Sequence, residues 1–164
     1  MKNFFICLVF LPFCINAKQI PNSEAVELYN SQLDHTRKMV NEIQQTLIAS
    51  DAVFEMYKNL GYITPEVVAV SRHLTILSED AQEFYGKNLL EHPTPFSSCA
   101  TLAATAYNYW ITRLGNTHGD KTDIANAQAQ SYISQGKACM SSINTPPPKY
   151  IEESDDLEII DVDN

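Results

Sequence analysis

A strict seven-residue spacing of apolar side chains through segment 23–59 constrains the fold more than any other feature. The residues at this spacing are Val26, Leu33, Val40, Leu47 and Phe54. Such a stripe predicts one long helix that buries a single face, and Gly61 is typical of the residue that ends a helix. The favoured interpretation is a long helix packed inside a bundle formed by one chain. The alternative is a homodimer in which two copies of this first helix form a coiled coil.

Three further helices are predicted, separated by proline and glycine. Thr64 and Pro65 are typical of the start of a second helix, and Gly86 of its end. The fourth helix contains Gly136, which costs it about 1 kcal/mol relative to alanine and therefore predicts a close neighbour. The chain has only five glycines and lacks alternating β-branched runs. These features predict an all-α, four-helix bundle-like single domain over residues 18–144.

The first seventeen residues, MKNFFICLVFLPFCINA, have the pattern of a secretory signal peptide. One positive charge at Lys2 precedes a short apolar run, and the small residue Ala17 precedes a polar segment. The alternative is a retained membrane anchor, which Pro12 disfavours because it interrupts the run. No later run approaches the ~20 apolar residues needed to span a bilayer. The mature protein is therefore expected to be exported, without stable membrane insertion.

Cleavage after Ala17 would leave two cysteines, Cys99 and Cys139, in an oxidising compartment. Two cysteines in an exported chain predict a disulfide. The third and fourth helices are predicted to be antiparallel around the turn near Thr117, which brings the two cysteines level at the open end of the hairpin. The disulfide is therefore expected to be structural, with a contribution of about 4 kcal/mol in the chain-entropy treatment.

The composition changes after Asn144. A proline-rich spacer, TPPPKY, leads into a tail, IEESDDLEIIDVDN, that has seven acids and no base. Residues 145–164 are therefore predicted to be a stiff spacer followed by a disordered acidic tail. Apolar residues such as Leu157 and Ile160 alternate with the acids, which favours docking of the tail on a basic, partly apolar partner.

The sequence offers no equipment for catalysis, and the protein is predicted not to be an enzyme. No nucleophile, phosphate-loop or haem-attachment motif is present, so no cofactor is expected. The histidines lack metal-site spacing and are expected to be surface or capping residues, so no metal site is predicted; they are His35, His73, His92 and His118. A net charge of −9 disfavours nucleic acid as a partner.

Two kinds of function remain: a protein that binds another protein, and a helical bundle that carries an apolar small molecule. For a protein partner, aromatic anchors and the turn between the third and fourth helices are the candidate contacts, together with the tail acids. These predicted contact residues are Tyr109, Trp110, Asn116, His118, Asp120, Glu152, Glu153, Asp155 and Asp156.

The signal peptide MKNFFICLVFLPFCINA, the compact helical body and the late cysteine pair Cys99 and Cys139 resemble the periplasmic immunity proteins of type VI secretion effectors, particularly the helical amidase-immunity type. The similarity is one of layout across most of the chain. It implies a periplasmic protein that binds a cognate toxin stoichiometrically and occludes the active site of that toxin.

Overall fold

A computed structural model of the chain describes residues 19–86, 93–117, 119 and 121–152. The elements, in chain order, are β1 (Gln19–Pro21), α1 (Ser23–Leu60), α2 (Pro65–Tyr85), α3 (Ser97–Gly115), α4 (Thr122–Asn144) and β2 (Tyr150–Glu152). The predicted all-α architecture of four helices in one domain is confirmed. The predicted signal peptide, residues 1–17, and tail residues 153–164 lie outside the described residues.

The seven-residue stripe of α1 packs inside the bundle of its own chain. Val40 and Leu47 are buried, and Leu33 and Phe54 are partly buried against the same core. The neighbours of α1 are mainly α2 and α3. Because the stripe already has partners within the chain, this packing gives no support to a two-chain coiled coil through α1.

Backbone geometry fixes the turn between α1 and α2. Gly61 has a φ of 73°, in the left-handed region, and its N–H donates to the carbonyl of Tyr57 at 2.9 Å. Thr64 is extended and buried at the N-cap position, although its side chain makes no capping hydrogen bond. Pro65 is the first residue of α2. Proline lacks an N–H, but this costs no hydrogen bond here because the first N–H groups of a helix have no partner within the helix. The turn is therefore short and tightly constrained at both ends.

Helix α3 lies at the centre of the bundle and contacts the other three helices. Its buried face combines alanines, which permit close helix packing, with one large aromatic, Trp110. Trp110 is fully buried, and its Nε1 donates to Ser71 Oγ on α2 at 2.9 Å. This contact satisfies the one polar atom of the indole, so the tryptophan can fill the core without an unpaired donor.

The predicted disulfide between Cys99 and Cys139 is confirmed and joins α3 to α4 across 40 residues. Both cysteines are fully buried. Of the residues of α4, only Cys139 and Ile143 are buried, so this helix depends strongly on α3 and on the disulfide. The crowded neighbour expected at Gly136 is absent, because an added Cβ there would meet only Leu102 Cδ1, at 3.9 Å.

A two-stranded antiparallel sheet, which the sequence did not predict, joins the two ends of the domain. Gln19 pairs with Glu152, and Pro21 with Tyr150. Next to the sheet, the backbone N–H of Asn22 donates to the carbonyl of Lys149 at 2.9 Å. Ordered structure therefore continues beyond the predicted boundary at residue 144, because the first residues of the predicted tail belong to this sheet.

Candidate functional site

A groove opens between α1 and α4, which make few direct contacts with each other. It encloses about 300 Å³ and is lined by Gln44, Leu47, Ile48, Asp51, Tyr109, Arg113 and Tyr132. All but one of these residues lie on α1 and α3, and Tyr132 lies on α4. The groove lies in the half of the bundle nearest the α1–α2 and α3–α4 turns, and it is the candidate functional site.

Two stacked tyrosines form the floor of the groove on the α3–α4 side. The rings of Tyr109 and Tyr132 are 5.6 Å apart between centroids and nearly parallel, at 8°. Burial raises the pKa of Tyr132 above its ordinary value of 10.0, and the neighbouring Tyr109 raises it further. The Tyr132 hydroxyl therefore stays protonated at neutral pH and can donate a hydrogen bond to a bound molecule.

Arg113 is held at the edge of the groove by three neighbours. Its guanidinium lies over the ring of Phe54, with Cζ 4.4 Å from the ring centroid, and 5.6 Å from that of Tyr109. Its Nη1 donates to Asp51 Oδ1 at 2.7 Å. Because the Asp51 side chain is 70% exposed, this ion pair adds little to stability. Its effect is to orient the guanidinium, whose other N–H groups can reach a partner.

The chemistry of the groove is suited to binding. Tyrosine and arginine on a rigid support are the side chains that contribute most at protein interfaces. Ile48 adds an apolar side chain that is 66% exposed. The single acid among the lining residues, Asp51, is already paired with Arg113.

Of the predicted contact residues on α3, one lies in the groove and one does not. Tyr109 lines it. Trp110 is fully buried against Ser71, so its assignment as a contact residue is wrong for the folded domain. A helix turns by about 100° per residue, so two adjacent aromatics cannot share one face. The buried face of α3 takes the larger ring.

The predicted turn residues are only partly described. Asn116 Oδ1 accepts a hydrogen bond from the backbone N–H of Lys121 at 2.8 Å. Its side-chain oxygen therefore closes the α3–α4 turn instead of facing a partner. His118 and Asp120 lie outside the described residues.

Glu152, the predicted tail contact that lies within the described residues, is at the opposite end of the bundle from the groove. Glu152 is exposed on β2, beside the start of α1, whereas Arg113 contacts Asp51 and Phe54 near the other end of α1. At 1.5 Å per residue, these two levels of α1 are roughly 45 Å apart. Glu153, Asp155 and Asp156 lie outside the described residues. Among the described residues, Glu152 and Tyr109 therefore do not share one surface.

Of the seven residues that line the groove, sequence reasoning predicted Tyr109 as a contact and Leu47 as a buried residue of α1. It missed the other five, which are Gln44, Ile48, Asp51, Arg113 and Tyr132. Asp51 and Arg113 are 62 residues apart in the chain, so no local spacing could have paired them. Tyr132 is partly buried against the core as well as lining the groove. A signal for Ile48 did exist, because an isoleucine directly after the buried Leu47 must leave the buried stripe of α1.

A second cluster surrounds His35 on α1. Its ring stacks on Phe84 of α2, with 3.7 Å between centroids and an angle of 20°. His35 is partly buried, and its Nε2 has no hydrogen-bond partner, so it is neither the surface nor the capping histidine that was expected. Across the described ranges, no set of three or more His, Cys, Asp or Glu side chains is placed to hold a metal. The stacking of His35 on Phe84 joins α1 to α2.

Comparison of the chain with protein families, with curated protein sequences and with solved structures finds no match. Among the described residues, no helix is both long and apolar enough to cross a bilayer. The fold and the groove define a class: a disulfide-linked four-helix domain with a tyrosine–arginine groove on its surface.

Proposed function

We propose that this protein is an exported, non-enzymatic binding protein that binds and neutralises a cognate protein toxin in the periplasm. The observation that carries the proposal is the groove between α1 and α4, in which Tyr109, Tyr132 and Arg113 are held in place before any partner arrives. Side chains fixed in advance lose little entropy on binding. The resemblance in layout to periplasmic immunity proteins supports the choice of a toxin as the partner.

The location of the protein is part of the proposal. A buried disulfide that joins two helices is typical of proteins that fold outside the cytoplasm. The pattern of residues 1–17 agrees with export. Together these features favour a periplasmic protein in a bacterium, and a secreted one if the source is eukaryotic.

The alternative function is a carrier of an apolar small molecule, and the size of the groove supports it. About 300 Å³ is at the lower limit of the volumes typical of small-molecule sites. The centre of the bundle, where a carrier of this shape would hold its ligand, is filled by Ile43, Leu74 and Trp110. The packed centre favours the protein-binding proposal.

Native mass spectrometry of the protein purified from the cells that produce it tests the two functions. The expected result is a one-to-one complex with a second protein, whereas a retained small molecule would favour the carrier. Ile48→Asp should remove the complex, because it places a charge in the groove at a side chain that is 66% exposed. Ile76→Asp is the matched control, since Ile76 is also an exposed isoleucine but lies on α2, outside the groove. Equal complex formation by both variants would contradict the groove assignment.

A further inference from the structure

The turn between α1 and α2 exposes a cluster of apolar side chains that the fold does not use. We call these residues the apolar tip: Leu60, Tyr62, Ile63 and Val68, with exposed fractions of 47%, 60%, 66% and 45%. Three of the four lie within four consecutive residues, 60–63, at one turn. Single exposed apolar residues are ordinary on protein surfaces, but such a concentration of them is a candidate interaction site.

The apolar tip is presented by a fixed backbone. The left-handed Gly61 ends α1, and Pro65 starts α2. Thr64, between the exposed side chains and α2, is buried. Because both sides of the turn are constrained, Tyr62 and Ile63 can enter a partner without the loss of entropy that a mobile loop would suffer.

The α3–α4 turn lies at the same end of the bundle, since α1 and α3 both run towards it. Arg113, two residues before the end of α3, contacts Phe54, six residues before the end of α1, so α1 extends about one turn further at this end. That turn is polar where it is described, and Asn116 is engaged within it. The apolar tip is therefore the better anchor at this end.

From these observations we infer that the apolar tip inserts Tyr62 and Ile63 into an apolar cleft of the partner protein. This inference rests on the proposed function and adds the anchor and the shape of its receptor. Tyrosine is among the residues that contribute most when buried at an interface, provided that its hydroxyl finds a partner or water.

Charge and shape decide between a protein cleft, a lipid surface and a second copy of the chain. The charged residues of segment 55–66 are Glu55, Lys58 and Glu66, and their net charge of −1 gives the tip no attraction to an anionic bilayer. Near the tip, Lys58 is only 3.7 Å from Glu55, and Glu66 follows on α2, so no basic cluster is present in this segment to bind lipid headgroups. A turn at the end of a bundle is convex, so two tips do not complement each other. A neutral or basic protein with a concave apolar site fits both properties.

The apolar tip and the groove can be covered by the same partner. Leu60 lies nine residues after Asp51 on α1, which corresponds to about 14 Å along the helix. A typical interface buries about 800 Å² on each side and is roughly 30 Å across. One partner of ordinary size therefore reaches both, with the tip as its anchor.

Site-specific photo-crosslinking in the full chain, produced in its native cells, tests the inference. A benzophenone amino acid replaces Tyr62 in one strain and Tyr150 in another. The two tyrosines are matched, with exposed fractions of 60% and 58%, but Tyr150 lies on β2 at the opposite end. A third strain carries the crosslinker at Ile48 in the groove.

The expected result is a crosslink from position 62, and none from 150, to one protein that is then identified and purified. Ile63→Ser should weaken its binding to the intact chain by about tenfold or more without changing the thermal midpoint. Ile76→Ser, the exposed control on α2, should leave the affinity within about twofold.

The remaining outcomes separate failure of the tip from failure of the proposed function. A partner crosslinked from 48 or 150 but not from 62 overturns the tip and leaves a protein-binding function. If the crosslinker at position 62 gives a product of twice the chain mass, the occupant is a second copy of the chain and not another protein. If the chain binds vesicles of phosphatidylethanolamine and phosphatidylglycerol, and Ile63→Ser abolishes that binding, the occupant is a lipid surface. Either result overturns the assigned occupant. No crosslink to any protein from all three positions would contradict the proposed function as well.

Discussion

At the scale of single residues, two glycines in the same fold should respond in opposite ways to the same substitution. Gly136 lies inside α4 with ordinary helical geometry, and an added Cβ meets only Leu102 Cδ1, at 3.9 Å. Gly136→Ala should therefore raise the free energy of unfolding by about 0.5–1 kcal/mol. Gly61 has a φ of 73°, so Gly61→Ala should lower it by about 1–2 kcal/mol, because alanine is strained in the left-handed region.

Urea denaturation of both variants measures these changes directly. The two substitutions add the same methyl group, so a common effect on the unfolded chain cannot produce opposite signs. A loss of stability in Gly136→Ala would show that α4 packs against α3 more closely than the 3.9 Å contact indicates.

A buried hydroxyl pair between α1 and α2 gives a second residue-scale prediction. Thr36 Oγ1 donates to the carbonyl of Gln32 at 2.8 Å, so the Tyr85 hydroxyl donates to Thr36 Oγ1, at 2.6 Å. Tyr85→Phe removes this hydrogen bond and should lower the free energy of unfolding by about 1 kcal/mol at neutral pH. Thermal or urea unfolding at pH 7 provides the measurement, and an unchanged midpoint would show that the pair is dispensable.

Tyr85 also predicts a dependence of stability on alkaline pH. Burial raises the pKa of Tyr85 above its ordinary value of 10.0. The folded protein therefore keeps the proton at a pH where the unfolded chain loses it. Stability is unaffected below the unfolded pKa and falls as the pH rises through and above about 10.

The loss of stability at alkaline pH should be smaller in Tyr85→Phe, because one of the tyrosines with a raised pKa is gone. Urea midpoints at about pH 8 and about pH 10.5 give the comparison. Tyr132 retains its own raised pKa, so some loss should remain in the variant. An identical fall in both proteins would assign the alkaline effect to other groups.

At the scale of elements, the disulfide should matter most to α4. This helix buries only Cys139 and Ile143. Besides the disulfide, its C-terminal half is held by packing against α3 and by the hydrogen bond that the Tyr29 hydroxyl donates to the carbonyl of Ile143, at 2.6 Å. Because the disulfide closes a span of 40 residues, its loss should lower the free energy of unfolding by about 4 kcal/mol in the chain-entropy treatment. The double substitution Cys99→Ala and Cys139→Ala, followed by denaturation, measures this loss.

Amide hydrogen exchange in the double alanine variant locates the effect. We expect the largest loss of protection in residues 122–144, with α1 and α2 changed much less. Uniform loss of protection across all four helices would show that the disulfide supports the whole bundle equally.

The short sheet makes a prediction about truncation. Deletion of residues 153–164 leaves β2 intact and should leave the unfolding midpoint unchanged. Deletion of residues 150–164 also removes the pairing of Tyr150–Glu152 with Gln19–Pro21 and should lower stability by about 1–2 kcal/mol, since few bonds and no buried side chains are lost. Equal midpoints for the two truncations, measured by thermal unfolding, would show that the sheet contributes nothing.

The elements also show what local sequence patterns can and cannot predict. The stripe from Val26 to Phe54 and the stops at Gly61 and Gly86 predicted the first two helices because these signals lie within each helix. The disulfide followed from helix length and turn position. The strands were missed because each has three residues and pairs with a segment at the other end of the chain. Long-range pairing of that kind leaves no local periodicity.

At the scale of the whole molecule, the candidate site was predictable only in part. Tyr109 was predicted as a contact and lines the groove, whereas its neighbour Trp110 fills the core. Whether an aromatic side chain of α3 points to the core or to the groove depends on the rotation of α3 about its axis. That rotation is set by packing against the other three helices. The ion pair of Asp51 with Arg113 likewise exists only once α1 and α3 pack together.

The arrangement of the whole molecule limits what the acidic tail can do for a partner bound at the groove. Twelve residues follow Glu152, and a fully extended chain of that length reaches at most ~40 Å. The groove residues of α1, Gln44 to Asp51, lie about 32–42 Å from Ser23 along the helix. Only a nearly fully extended tail reaches even the near edge of the groove, and holding the chain so extended is costly in entropy. We therefore expect the tail acids to influence a partner at the groove and apolar tip mainly through their electrostatic field.

Deletion of residues 153–164 should therefore change the association rate of the partner, and only at low ionic strength. The Debye length is about 30 Å at 0.01 M salt and about 8 Å at 0.15 M, so the field of the tail reaches the partner in the first condition and is screened in the second. We expect association with a basic partner to slow several-fold at about 0.01 M salt and to be unchanged at about 0.15 M, with the dissociation rate unaffected in both.

The groove variant Ile48→Asp should instead speed dissociation at both salt concentrations, because the groove contacts the partner directly. Stopped-flow measurements on the crosslinked partner, once it is purified, provide both rates. Faster dissociation of the truncated protein at about 0.15 M salt would show that the tail touches the partner, and the interface would then extend to the β1–β2 end of the bundle.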